Sequence, residues 1–586
     1  MKIGIEIHQR LDSSKLFCNC SSHIVEGDPA FTIQRKLHPV LSELGETDDA
    51  SRIESTRRRL FEYQVFSENN CLVEMDEEPP RNMNRQALLI ALEIAKQLNA
   101  TIVDEVYVMR KIVIDGSNTS GFQRTSVVAL NGHVHTSKGL VKITSIAIEE
   151  ESAGIVSSSD ANATYRLDRL GIPLIEITTD PDIKDAAHLR ETAEKIGMIL
   201  RATGKVARGL GTIRQDVNIS TEGGARVEIK GAQDLKMLPD LVENESKRQL
   251  ELLKIIHELR LNHVAGVKKS IEDVTSIFKK TEASLIQKGI ESGSVVLGQS
   301  LPGFAGYLGR ELQPKQRFGT ELSNYAKTAG VKGIIHSDEN LSKYKISETE
   351  QKHLHEKLGD CFALVVAPEQ QAKTALEYVI QRANMEFVPE ETRKANPDAT
   401  SSYMRPLPGK ARLYPETDVP PIPITEELLS AIGSSESLED KQKKLEKLLN
   451  KELAAKMIKS RYLHVFERLV KIKTDPKLAA TTIENTLVSL RREGVEFQNV
   501  EKALLDLFEE FNKDTFVKAA IPEVLKGMVK GASAESVIKV YRLQKITGKE
   551  LKKIIEDENH DLKAIMAKHR LQVDPAEVAK LLKGKK

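Results

Sequence analysis

Gly4-Ile-Glu-Ile-His-Gln9 opens the chain with strict alternation of apolar and polar residues, the period of a strand with one buried face. Glu6 and His8 therefore leave one side of that strand, and Ile5 and Ile7 the other. The pattern recurs downstream. In Gly211-Thr-Ile-Arg-Gln-Asp-Val-Asn-Ile-Ser220, Ile213, Val217 and Ile219 lie opposite Arg214, Asp216 and Asn218. Arg226-Val-Glu-Ile-Lys230 sets Glu228 and Lys230 against Val227 and Ile229, and Leu174-Ile-Glu-Ile-Thr-Thr-Asp180 aligns Glu176, Thr178 and Asp180. Repeated strands with one apolar and one charged face predict a sheet whose polar side lines a site. A sheet with one merely solvated face is the other reading, since antiparallel sheets commonly have one.

The 586 residues exceed what one hydrophobic core supports, so three or four domains are expected. Hydrophobic content of 40% and charged content of 29% describe a globular protein. No apolar run approaches the ~20 residues that span a bilayer, and the chain enters a strand pattern without a signal-peptide core. A cytoplasmic protein is the expectation. The net charge of +1 decides nothing about nucleic acid, because local patches bind what an average hides. Four cysteines in so long a chain do not make a disulfide framework. Cys18 and Cys20 form half of a zinc ligand set, but Cys71 and Cys361 stand alone in the sequence, so zinc is not expected.

Asn84 caps a predicted helix from Arg85 to about Asn99 after Pro79-Pro80. Strands are predicted at 102–114, 126–134 and 138–149, and amphipathic helices at 185–202 and 238–261. A compact α/β unit is predicted from His263 to about Ser402, with a helix over 271–288 and strands at 295–298, 331–336 and 362–367. The segment Tyr403–Pro423 carries several prolines and must run extended. Thereafter the periodicity is almost wholly helical.

Five acids, Glu6, Glu149, Glu150, Glu176 and Asp216, sit on or beside predicted strands. If several converge, their repulsion demands a cation or shifted pKa values. Carboxylates with an imidazole nearby suit Mg²⁺ or Mn²⁺, and Mg²⁺ usually arrives with phosphate. Scattered surface acids remain the plainer alternative. Asp115-Gly-Ser-Asn-Thr-Ser-Gly-Phe-Gln-Arg-Thr125 offers glycines, hydroxyls and Arg124 for a phosphate. It lacks a Walker A ending, and on pattern alone a flexible hairpin is the better reading. Ser51–Arg59 is a basic helical stretch that reads first as a solvated face and second as an RNA contact. The proline segment holds Arg405, Lys410, Arg412, Glu416 and Asp418, as a cover over a site or as a linker. No amidase-like Ser-Ser-Lys arrangement or Cys–His nucleophile is found in the sequence.

Ile3–Asp12, Lys15-Leu-Phe-Cys18, Asp115–Thr125, Ile148-Glu-Glu-Glu151, Gly171–Ile177, Gly211–Ile219, Val227–Lys230 and Arg412–Pro420 occur in the order seen in the tRNA-dependent amidotransferase B/E family. The chain resembles that family over nearly the whole catalytic region. The second cysteine pair of the B branch is absent, Arg35–Glu46 standing there instead. The block around Leu301-Pro-Gly-Phe-Ala-Gly306 and Gly330-Val-Lys-Gly-Ile334 resembles the insertion domain of bacterial aspartyl-tRNA synthetases. Both departures point to the archaeal E branch.

The resemblance implies an α+β multidomain protein. Its parts would be a cradle-like, mainly antiparallel sheet domain (1–262, completed by 403–424), the α/β insertion (263–402), a helical domain (425–515) and a YqeY-like tail (516–586). It implies a ligase that consumes ATP with Mg²⁺, phosphorylates the γ-carboxylate of Glu-tRNA(Gln) and then amidates it. Ammonia would come from an asparaginase-like D subunit in a D2E2 heterotetramer, with no membrane involved. By the same resemblance His8, Glu176 and Glu149 or Glu150 are the metal candidates, with Glu6 and Asp216 in or beside that shell. Only one of Glu149 and Glu150 can face inward on a regular strand. Arg214 and Lys230 would stabilise phosphoryl charge, and Gly116, Ser117, Asn118, Thr119, Ser120, Gly121 and Arg124 would contact nucleotide or acyl phosphate. A non-catalytic tRNA-binding or assembly subunit and a synthetase-related editing enzyme are the readings from other classes.

Overall fold

The computed structural model describes residues 1–583 except 41–44, 47–54, 56–58, 160, 408, 410–411, 433–437 and 530. Most of Ser51–Arg59, together with Lys410, Lys585 and Lys586, lies outside the described residues. The chain forms two compact units, residues 1–435 and 436–586.

The first unit is built on an eleven-stranded sheet. Its strands are β1 (Lys2–Arg10), β2 (Met109–Ile112), β3 (Phe122–Thr136), β4 (Gly139–Glu150), β5 (Pro173–Thr179), β6 (Ile213–Ser220), β7 (Val227–Ala232), β8 (Glu391–Ala395), β9 (Ser401–Pro406) and β10 (Leu413–Pro415). They run across the sheet as β9-β8-β7-β6-β1-β5-β4-β3-β2-β10, with Thr101–Ile102 added beside β3. Every pairing is antiparallel except β7 with β8. Ile3, Ile5, Ile7, Ile175, Ile177, Val217, Val227 and Ile229 are fully buried on the apolar face, each contributing roughly 1.5–3 kcal/mol of transfer free energy. Helices α1 (Arg85–Gln97), α2 (Ala186–Ala202) and α3 (Leu238–Leu261) pack on strands of this sheet. Asn84 and Asp185 cap the first two by accepting from the Ala87 and His188 amides.

The proline segment supplies both edges of the sheet, β9 at one end and β10 at the other, where a missing ladder donor costs least. Laid flat, ten strands at ~4.8 Å spacing would separate those edges by about 43 Å. The chain from Pro406 to Leu413 can reach at most about 25 Å. The sheet therefore curls, and Arg405, Leu407 and Arg412 come to its polar side.

The predicted strand 102–114 is three short ones, Thr101–Ile102, Glu105–Val106 and Met109–Ile112. Their partners change along the segment: β3 takes the first, Ile422–Pro423 the second, and β3 and β10 the third. Alternation reports extended backbone but not a change of partner. The predicted helix 271–288 is instead a strand (Ile271–Asp273), a 3₁₀ turn and a helix over Ser284–Glu291. Asp273 and Thr281 accept from the Thr275 and Ala283 amides, and such local bonds compete with helix continuation. In 331–336 only Ile335–His336 pairs.

Between α3 and β8 the chain forms a four-stranded antiparallel sheet, Ile271–Asp273, Val295–Ser300, Phe362–Ala367 and Ile335–His336 in that order. Val296, Phe362 and Leu364 enter one core, and Leu297, Ala363 and Val365 another, so both faces are covered. Helices α4 (Phe318–Lys327) and α5 (Glu369–Ala383) belong to this region. The large sheet takes the chain back at Glu391, ahead of residue 403.

The second unit is helical throughout its described residues, apart from turns and an isolated bridge between Phe516 and Gln544. One core gathers Leu445 through Leu543, so Phe516, Val524 and Ile538 pack with Leu504 and Phe508 across residue 515. A smaller core holds Leu551, Ile555, Ile565, Val573 and Val578. Among the described residues no helix is long and apolar enough to cross a membrane.

Candidate active site

Strand order brings the charged faces together. His8 on β1 lies between Glu176 on β5 and Arg214 on β6, and one step along Glu6 lies between Thr178 and Asp216. His8 Nε2 is 3.1 Å from Glu176 Oε2. Lys111 on β2 reaches Glu149 Oε1 at 2.5 Å and Glu176 Oε2 at 3.7 Å. Lys230 Nζ bridges Asp216 (2.9 Å) and Glu228 (2.5 Å), while the Gly231 amide donates to Asp216 at 3.0 Å. These side chains line a cavity of about 560 Å³, within the range of small-molecule sites. Arg226, Arg405 and Arg412 also line it.

The electrostatics are those of a pocket crowded with charges of both signs. Burial, then the charge of Glu176, pushes the Glu6 carboxyl up to about 7. Burial would raise Glu176 too, but Lys111 and His8 outweigh it and hold that carboxyl well below the usual range. Burial likewise opposes ionisation of Asp216, and Lys230 and His8 overcome it. His8 is raised, burial being overcome by its bond to Glu176. The ligand atoms of His8, Glu149 and Glu176 lie within 4.8 Å of one another, as do those of Glu6, His8 and Asp216. His8 Nδ1 is buried without a hydrogen-bond partner. A hard divalent cation with an imidazole ligand fits this donor set.

Of the pair Glu149 and Glu150, left open by the sequence, Glu149 lines the cavity and Glu150 does not. Glu150 leaves the opposite face of β4, where it meets Arg124, and Arg124 in turn holds Glu416 at 2.8 Å. Its neighbours gave the signal: Glu150 has the parity of the buried Ile146 and Ile148, and Glu149 that of Ser145 and Ala147. The loop, in contrast, is corrected. Of its seven proposed residues only Ser117 lines the cavity, with Asp115 and Gln123 beside it. Gly116 has φ +89°, and a Cβ there would lie 2.3 Å from the Phe61 ring, so this glycine serves packing. Asn118, Thr119, Ser120 and Arg124 line a separate small cleft with Glu74 and Glu150, while Gly121 closes the turn by donating to the Asn118 carbonyl. A pattern of residue types carries no information on which way a loop folds over.

Three further residues belong to the site without having been expected there. Lys111 alternates with Ile112 and so was readable as facing the site. Gln123 donates to Glu149 at 3.2 Å. Glu151, just past β4, accepts from Arg10 (2.9 Å) and Arg214 (2.8 Å), with Arg169 at 3.3 Å. Burial opposes its ionisation, but those three guanidiniums hold its carboxyl down at about 2. Arg214 thus faces the cavity already tied to an acid.

The family model described as the GatB/GatE catalytic domain matches residues 1–430. The chain belongs to this family. Curated members named as the E subunit of glutamyl-tRNA(Gln) amidotransferase include that of Methanocaldococcus jannaschii, 46% identical over 95% of this chain and 91% of the relative, and that of Pyrococcus abyssi, 46% over 95% and 90%. The Methanosarcina acetivorans protein of the same name is 47% identical over 90% of this chain and 86% of its own. This is a GatB/GatE ligase component, and the polar face of the curled sheet falls within the span of its family domain.

Proposed function

We propose that the cavity phosphorylates the γ-carboxylate of glutamate esterified to tRNA(Gln) and then amidates it. A carboxylate does not accept an amine until one oxygen becomes a leaving group. The terminal phosphoryl of ATP moves to that oxygen, releasing ADP. Ammonia then attacks the carbonyl carbon, phosphate leaves, and a proton is lost to give Gln-tRNA(Gln). Magnesium held by His8, Glu149 and Glu176, with Glu6 and Asp216 adjacent, would neutralise and orient the phosphates when bound. Lys111 and Lys230 keep the carboxylates ionised and present ammonium groups to the cavity, and Arg214 adds a guanidinium fixed by Glu151. Arg405, whose Nε is buried without a hydrogen-bond partner, reaches the cavity from β9. The ammonia would be delivered by an asparaginase-like D subunit in a D2E2 assembly, and the insertion and helical unit would serve the tRNA.

The observation that carries this reading is the group of carboxylates around His8, with its unpartnered Nδ1, inside a cavity of about 560 Å³ that lysines and arginines also line. Incubation of the chain with Glu-tRNA(Gln), γ-labelled ATP and Mg²⁺, with and without ammonium, tests it. Phosphate release that depends on Glu-tRNA(Gln), with conversion to Gln once ammonium is present, is expected. No turnover even with the D-type partner would return the chain to a tRNA-binding or assembly role.

A further inference from the structure

A second cavity, of about 590 Å³, adjoins the first. The two share Val113, Asp115, Lys230 and Arg405 as lining residues, so they lie side by side. Their walls differ in kind. Among the described residues lining the second cavity Asp115 is the one acid, set against Arg59, Lys230, Lys327 and Arg405. Arg59 ends the basic stretch 51–59, whose second reading from sequence was an RNA contact.

Separate parts of the chain build this cavity. β9 supplies Tyr403 and Arg405, and α4 supplies Asn324 and Lys327, which at a spacing of three share one helix face. The Tyr403 ring lies on that of Tyr325, with centroids 3.9 Å apart and planes 17° apart. Tyr325 is itself anchored, because its hydroxyl donates to Glu391. The cavity therefore has a fixed aromatic wall. Ile155, on the strand Gly154–Ser158, also lines it and is 63% exposed, an apolar side chain left uncovered beside a polar site. Asn324, only 9% exposed, lines it with an amide that can donate to and accept from one base edge.

We propose that the second cavity seats the terminal nucleoside of the tRNA acceptor end, a reading that rests on the function given above. The glutamyl ester is carried on the ribose of that nucleoside. A three-carbon spacer joins the ester carbonyl to the γ-carboxylate, so the ribose must sit next to the cavity in which the carboxylate reacts. Two adenosines take part in the reaction, that of ATP and that ending the tRNA. ATP places its phosphates at the metal candidates in the first cavity, and its adenosine carries no further anion for Arg59 and Lys327. The end of an RNA does, since every nucleotide brings a phosphate. Unstacked bases rest on aromatic and apolar side chains between basic groups, the combination that Tyr403, Ile155, Arg59 and Lys327 supply. Arg405 lines both cavities with a buried Nε that has no hydrogen-bond partner, and is placed to hold the ester end between them.

Cross-linking to the full-length chain tests this without requiring turnover. The probes are tRNA(Gln) ended in 8-azidoadenosine and, separately, 8-azido-ATP with Mg²⁺, each followed by mapping of the labelled peptides. The tRNA label is expected on peptides carrying Ile155, Asn324 to Thr328, or Tyr403, and the ATP label on others. A tRNA label absent from these peptides, or an ATP label on them, would overturn the proposal. Lys327→Ala, at an exposed position, should raise the KM for Glu-tRNA(Gln) about tenfold and lower the salt slope of tRNA binding by about one, with the KM for ATP unchanged. An unchanged KM for Glu-tRNA(Gln) and an unchanged slope would also count against it. Labelling here without transamidation would keep this seat and remove the phosphorylation reading. Normal transamidation with labelling elsewhere would do the reverse.

Discussion

Two clusters of buried charge share the first unit and differ in their access to a cavity. At the junction of sheet and insertion, Glu245 and Arg248 from α3, Glu321 from α4, Arg382 from α5, and Glu391 and Arg393 from β8 form a sealed network. Its side chains are at most 3% exposed. Three acids face three guanidiniums there. Arg248 Nη1 meets Glu321 at 2.5 Å, Arg393 Nη2 meets it at 3.2 Å, and the Tyr325 hydroxyl donates to Glu391 at 2.5 Å. On the open face of the sheet, Glu6, Glu149, Glu176, Asp216 and Glu228 share Lys111, Lys230 and His8. The first cluster needs nothing further, because each charge has its counter-charge within bonding distance. The second opens into a cavity that Arg214, Arg226, Arg405 and Arg412 also line, and its His8, Glu149 and Glu176 ligand atoms lie within 4.8 Å of one another, so a cation and a polyanion can enter together. Access to a cavity distinguishes a site from an internal strut more sharply than the count of charges does.

Glu176 is where this contrast is most exposed to disproof. Glu176→Gln should lower ATP-dependent transamidation on the order of 10³-fold while leaving the fold intact. Steady-state rates with ammonium as donor measure this, and near-normal turnover would remove the open cluster from the chemistry. The opposite behaviour is expected of Glu321→Gln. Leaving Arg248 and Arg393 underpaired should destabilise the first unit by about 3–5 kcal/mol, read as an earlier urea transition. Enzyme that remains folded should keep its KM for ATP. An unchanged transition there would mean the network carries no stability.

A third and smaller effect separates the two clusters through pH. The Glu6 carboxyl, raised to about 7, binds its proton more tightly folded than unfolded. Its contribution to stability is therefore complete below the ordinary carboxylate range and is lost as pH rises towards 7. Glu6→Gln removes that loss. In the absence of Mg²⁺ the variant should match the parent near pH 4 and exceed it near pH 8 by about 1 kcal/mol, discounted because Glu6 is partly exposed. Added Mg²⁺ should narrow the advantage, because in the parent the cation also offsets the adjacent Glu6 charge. A variant less stable than the parent at pH 8 would show that Glu6 is already balanced, as Glu321 is.

Which side chains share a face could be read from the order of residues alone. Alternation is a local consequence of the pleat, so Glu6 with His8, Arg214 with Asp216, and Glu228 with Lys230 were legible. The same parity, applied to Ile146 and Ile148, would have separated Glu149 from Glu150. Helices with strong caps, α1 and α2, were legible for a similar reason, because Asn84 and Asp185 act within three residues of themselves. Which strands lie side by side is a property of the folded chain. The order β6-β1-β5-β4 makes His8 a neighbour of Glu176, and the pairing of β2 with β3 delivers Lys111 to Glu149. Cys71 joins Cys18 and Cys20, and α3 meets α4 and β8, through contacts between residues far apart in the chain. Such pairings depend on how whole elements pack against the core, and local patterning carries no record of them.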